Sequence, residues 1–156
     1  MIAAVGAKAL RRAEVELRAA TEAAPDPAAR IDAYLRTAID LAARGAHRTA
    51  AVLARADLPE SCRARLAELH ASQRAPLREA IKELGVDDAD LVVGLLDGVL
   101  AAAMVAVQAG GRKAEIQDQV LRFVHAGLPG LSARPVRRQD PRQEPRRELR
   151  APASRG

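Results

Sequence analysis

The sequence predicts an all-α protein, a bundle of about six helices whose last two are placed to form a four-helix bundle with a second copy. Three observations lead there. The apolar share of 49% comes mostly from Ala, Leu and Val, with Tyr34 and Phe123 the only aromatic residues. That composition favours helices over strands, which draw on β-branched and aromatic side chains. Apolar residues recur at spacings of three and four, and no segment alternates as a strand would. Cap residues, prolines and glycines punctuate the chain at helical lengths.

The first helix is expected over about residues 2–23, ending before Pro25. Ile2, Val5, Ala9, Ala13, Leu17 and Ala20 make a thin apolar stripe flanked by Lys8, Arg11, Arg12, Glu14 and Arg18. No cap precedes it. Asp26-Pro27 opens the second helix, with Asp as cap and Pro at the first helical position. Ile31, Tyr34, Leu35, Ala38, Leu41 and Ala42 follow at helical spacing, and Gly45 closes it. A short third helix is expected over residues 47–55. Asp57-Leu58-Pro59-Glu60 starts the fourth, which carries Cys62, Leu66, Leu69, Gln73, Leu77, Ala80 and Leu84. Pro76 should kink or split it, because proline removes a helical hydrogen bond and crowds the preceding turn.

The fifth helix is the most informative. Gly85 ends the previous one, and Asp87 is placed to cap the next, with Asp90 three residues on and Leu91 able to close back on Val86 as a hydrophobic staple. The following segment is apolar around most of its circumference, so part of it needs cover beyond a single neighbour. Gly94, Gly98, Ala101 and Ala102 leave a smooth side for close approach by another helix. Gly110-Gly111 stops it. The sixth helix, about residues 112–128, presents Ile116, Val120, Phe123 and Val124 before Gly127 and Gly130.

Length and charge divide the chain. Residues 1–131 are long enough for one domain with a buried core. They are electrically balanced, because residues 132–156 hold eight Arg against Asp140, Glu144 and Glu148 and so carry the whole net charge of +5. That tail has four of the nine prolines and few large apolar side chains, a composition expected to stay disordered. Cys62 is alone, which excludes an intramolecular disulfide and a cysteine metal cluster. The start does not suit a secretory signal, since the basic residues follow the apolar run. Residues 91–109 approach membrane-spanning length, but Asp97 at mid-span would cost roughly 2.5–3.5 kcal/mol on insertion scales. A cytoplasmic protein without a membrane partner is the expectation.

Nothing in the chain points to an enzyme. His47, His70 and His125 are scattered, without the spacing of a bundle metal site, and no glycine-rich phosphate loop follows a strand. No cofactor is expected. Two polar residues stand on apolar stripes: Gln73 beside Pro76, and Asp97 on the face of Val93, Leu100, Met104 and Gln108. Buried polar groups need partners, so these two bind each other, free carbonyls near the proline, or a small molecule in a cavity. Tyr34, His70, Gln73, Asp97 and Met104 are the candidate ligand contacts, for a small hydrophobic effector. Gly94, Gly98, Ala101, Val105, Val120, Phe123 and Val124 are the candidate dimer contacts, in a two-fold homodimer.

Taken in order, Asp26-Pro27-Ala28-Ala29-Arg30-Ile31, Asp57-Leu58-Pro59, Leu95-Leu96-Asp97-Gly98-Val99-Leu100 and Phe123-Val124-His125-Ala126-Gly127-Leu128-Pro129-Gly130 resemble helix starts and ends of one known domain. It is the C-terminal effector-binding and dimerisation domain of TetR-family transcriptional regulators, and the resemblance covers about residues 2–131. It implies that an effector bound among the middle helices shifts the first helix, which connects to a helix-turn-helix head. The Tyr-x-x-Phe-x-x-Lys-Glu-like stretch that closes such a head is not in this sequence, so the first helix is expected to begin inside the connector. DNA is then a partner only where a helix-turn-helix lies upstream. The alternative is a headless interaction module that heterodimerises with intact relatives.

Overall fold

A computed structural model describes residues 2–45 and 59–132. They form five helices: α1 (Ile2–Glu22), α2 (Pro27–Ala43), α3 (Glu60–Glu83), α4 (Ala89–Gln108) and α5 (Lys113–Ser132). No strand occurs among the described residues. The helix expected over 47–55, the Asp57-Leu58 part of the fourth helix's start signal and the tail from 133 onwards lie outside them.

α2 is the hub. It packs against all four other helices, whereas α1 and α4 do not meet each other. The reason is its side-chain pattern: Ile31, Tyr34, Leu35, Ala38, Ile39, Leu41 and Ala42 are all buried, leaving little of its surface without a neighbour. Ile31, Leu35 and Ile39 join Leu77 and Ile81 of α3 as the largest fully buried side chains among the described residues. The start of α2 is as expected, with the Asp26 carboxylate accepting from the Ala29 N–H at 2.8 Å and Pro27 in the first turn. Gly45 beyond its end adopts φ 84°, a left-handed conformation that costs glycine little.

Several sequence expectations need correction. The cap of α4 is Asp88, not Asp87: its carboxylate accepts from the Leu91 N–H at 2.9 Å. Leu91 is exposed and Val92 is buried, and with Asp88 as the cap the staple position falls on Val92 rather than Leu91. α3 runs through Pro76 without being split, and Pro76 itself is buried. α5 continues to Ser132 through Pro129, past the glycines expected to end it. Near an exposed helix end, the carbonyl that proline leaves unbonded is open to water, so the penalty is small. The double-glycine stop after α4 holds, and Gly111 has a specific cause. A Cβ there would sit 2.8 Å from Ile116 Cδ1 and 2.9 Å from the Ala106 carbonyl oxygen.

Polar contacts fasten α5 to α2. Gln117, buried where no sequence signal marked it, donates through Nε2 to the Arg36 carbonyl and to Asp40 Oδ1, each at 3.0 Å. Lys113 pairs with Asp40 at 2.8 Å, and His125 meets Asp32 at 2.7 Å.

Candidate functional site

The gap left because α1 and α4 do not touch is a cavity of about 230 Å³, part-open to solvent. Four helices wall it. α1 contributes Ala9, Leu10, Ala13 and Leu17, and α2 contributes Tyr34, Ala38 and Leu41. α3 gives His70, Gln73 and Arg74, and α4 gives Asp97, Leu100, Ala101 and Met104. All five expected ligand contacts, Tyr34, His70, Gln73, Asp97 and Met104, therefore line one cavity. The small α1 side chains explain the space, since alanines at successive inward turns leave volume that larger residues would fill.

The polar groups gather at one end. Asp97 and Gln73 do not bind each other. The Asp97 carboxylate pairs with Arg74 Nε at 2.7 Å, and Gln73 Nε2 donates to the Leu10 carbonyl of α1 at 2.8 Å. Neighbouring Ser72 donates to Glu14, a second tie between α3 and α1. The Tyr34 ring is buried, and its hydroxyl makes no hydrogen bond among the described residues where it meets the part-open cavity. Burial, helped by the Asp97 charge, pushes the Tyr34 phenol up to about 12, so it stays a neutral donor. Burial also lowers the His70 imidazole, an effect the Arg74 charge reinforces. Burial raises the Asp97 carboxyl, against the pull of Arg74, His70 and Arg78. The site thus offers hydrogen bonds from neutral groups and one ion pair that cancels itself. Arg74 was not marked in the sequence, where it reads as an ordinary helix flank.

The candidate dimer residues separate into two sets. Gly94, Gly98, Val105 and Phe123 face outward, with Val105 67% and Phe123 66% exposed, whereas Ala101 is exposed at the cavity wall. A Cβ on Gly94 or Gly98 would meet nothing within 4 Å, so neither glycine serves a helix crossing within this chain. Val120 and Val124, expected on the same outward face, are instead 7% and 2% exposed and belong to the chain's own core. Their positions on α5 turn them towards α2 and α4, while Phe123 between them points away. Leu91, Leu95 and Ala102 extend the outward apolar stripe, and Phe123 borders a shallow groove with Val99, Ala106 and Ile116. α4 is also long and apolar enough to cross a membrane by length and composition, although its inward face packs in the bundle.

Among the described residues, no group of three or more His, Cys, Asp or Glu side chains is arranged to hold a metal ion. Cys62 is a free, half-buried thiol near the start of α3. No family model matches the chain, and no curated protein or solved structure shows significant similarity to it.

Proposed function

We propose that this chain is the small-molecule-sensing and dimerisation part of a cytoplasmic transcriptional regulator of the TetR kind. The observation that carries the reading is the cavity between α1 and α4. Its walls include the helix that the sequence resemblance makes the connector to a DNA-binding head, and its polar end is tied to that helix through Gln73 and the Leu10 carbonyl. A ligand that competes for Gln73, or fills the gap, favours one placement of α1 over another. Such differential contact is the physical requirement for an effector to act at a distance. The Tyr34 hydroxyl supports a binding role, because it lines the part-open cavity and has no hydrogen-bond partner among the described residues to compete with a ligand.

The second support is the outward stripe on α4 with Phe123 of α5. Leu91, Leu95, Val105 and Phe123 lie on neighbouring outward faces, with small residues between the larger ones along α4. A second copy related by two-fold symmetry would cover it, giving a four-helix seam of α4 and α5 from each protomer. DNA enters only through a helix-turn-helix joined ahead of α1.

Sedimentation velocity on the chain, together with thermal unfolding against a small-molecule library, tests the proposal. The expected result is a dimer at micromolar concentration and at least one compound that raises Tm in a saturable way. A ligand at a hundred times its Kd would add about 2.7 kcal/mol. A monomer at all concentrations, with no stabilising compound, would overturn it. Preferential pairing with an intact regulator over self-pairing would favour the headless module instead.

A further inference from the structure

Resting on the reading of this cavity as an effector pocket, we propose that it takes an uncharged, compact amphiphile: an aliphatic body with a single hydroxyl or carbonyl oxygen that meets Tyr34. Three observations define the class. The first is size. A protein cavity of about 150 Å³ holds benzene, so the 230 Å³ here holds roughly nine non-hydrogen atoms. The second is lining. Ala13, Leu17, Ala38, Leu41, Leu100 and Met104 surround most of the space with aliphatic groups and sulfur, which favour an apolar body and offer it no hydrogen bonds.

The third is the internal charge balance. Arg74 and Asp97 already neutralise each other at 2.7 Å, and among the described residues they are the only full charges on the cavity wall. A ligand carboxylate would have to take Arg74 from Asp97 and leave the aspartate beside it. A ligand ammonium would have to take Asp97 and leave the arginine. Either exchange strands a half-buried charge, whereas a neutral oxygen disturbs neither. The Tyr34 hydroxyl is the group free to take a partner, since it lines the part-open cavity and makes no hydrogen bond among the described residues. An oxygen acceptor placed there satisfies it. Gln73 lies on the same wall with its N–H occupied by the Leu10 carbonyl, so its own oxygen can accept from a ligand hydroxyl while the tie to α1 is kept.

Octanol, octanoate and octylamine, matched in chain length, test the class on the full chain by calorimetry and by the shift in Tm. Octanol should bind at least about tenfold more tightly than either charged probe, since leaving a charge unpaired costs more than a neutral hydrogen bond gains. Tyr34→Phe should weaken octanol roughly three- to tenfold, the worth of one neutral hydrogen bond, without lowering the Tm of the free chain. Ala38→Leu, which fills the cavity, should abolish binding of octanol. Octanoate or octylamine binding as tightly as octanol, or Tyr34→Phe leaving octanol unchanged, would overturn the ligand class while keeping the pocket. Failure of all three probes to bind would remove the pocket and the class together, while a dimer seen in sedimentation would still stand.

Discussion

The two faces of α4 have nearly the same chemistry and opposite fates. Leu96 is 5% exposed and Leu95, its neighbour in sequence, is 55% exposed. Val92, Val93, Leu100 and Ala103 accompany the first, and Leu91, Ala102 and Val105 accompany the second. Apolarity therefore decides that a surface leaves water, but not which neighbour covers it. The inward face is answered by α2, α3 and α5 of the same chain. The outward face is answered by nothing among the described residues.

The largest effect that separates the faces is on stability. Leu96→Ala removes a side chain packed on all sides, which should cost about 2–5 kcal/mol. The loss should appear equally in dilute and concentrated protein, by urea unfolding. Leu95→Ala at the same depth of sequence should change the unfolding of dilute protein by no more than about 0.5 kcal/mol. Comparable losses for both substitutions in dilute protein would mean that the outward face is already covered within one chain.

Association gives the next effect. Leu95→Glu with Val105→Glu places two like charges on each outward stripe, opposite their copies in a two-fold dimer. Dimer affinity should fall by at least about tenfold, and the concentration dependence of Tm should vanish. Sedimentation equilibrium reads both. Unchanged association after this substitution would move the seam elsewhere.

How far the sequence showed these features depended on whether one residue or a shape carried the signal. α2 was legible throughout, because Asp26-Pro27 and a run of large apolar residues at helical spacing act locally. The α4 cap was ambiguous by one position because Asp87 and Asp88 both suit it, and the staple position moves with it from Leu91 to the buried Val92. Gln73 and Asp97 were visible as polar residues on apolar stripes. Arg74 was not, since a charged flank looks the same with or without a partner. The α1 wall was hidden for another reason: alanine marks space only after the opposite helix is in place. Val120 and Val124 were misjudged because α5 was given one apolar face, whereas Phe123 lies off the arc that they bury.

A smaller effect tests the outward face with a single methyl group. Gly98 is in the interior of α4 with open space where its side chain would be. Gly98→Ala should stabilise the separated chain by roughly 0.5–1 kcal/mol, since glycine loses more backbone freedom on entering a helix. If the facing helix of a second copy approaches closely there, the same methyl should weaken the dimer. A gain at low concentration that shrinks or reverses at high concentration is the expected pattern, by thermal unfolding across a dilution series. A uniform gain would place the seam away from Gly98.

The finest distinction lies on the edge of α4 between its two faces, where Asp97 reaches the cavity with His70, Arg74 and Tyr34. Its carboxyl is raised above 3.8 because burial outweighs the attraction of Arg74. The folded chain then holds that proton more tightly than the unfolded chain does. Stability from this group is present at acid pH and is lost as pH rises from 3.8 through the folded value. His70 runs in the opposite sense. Its imidazole is lowered below 6.5, so the unfolded chain takes up the proton first and stability is lost as pH falls from 6.5. Asp97→Asn should flatten the first slope and His70→Asn the second, in urea midpoints measured between about pH 3 and pH 8. The comparison rests on slopes, because either substitution also changes a pH-independent offset through Arg74. Slopes that persist unchanged in both variants would show that the polar end of the cavity is as open to water as the outward stripe. A neutral ligand that dries this end should steepen both, which joins the titration of α4's edge to the occupancy of the space behind it.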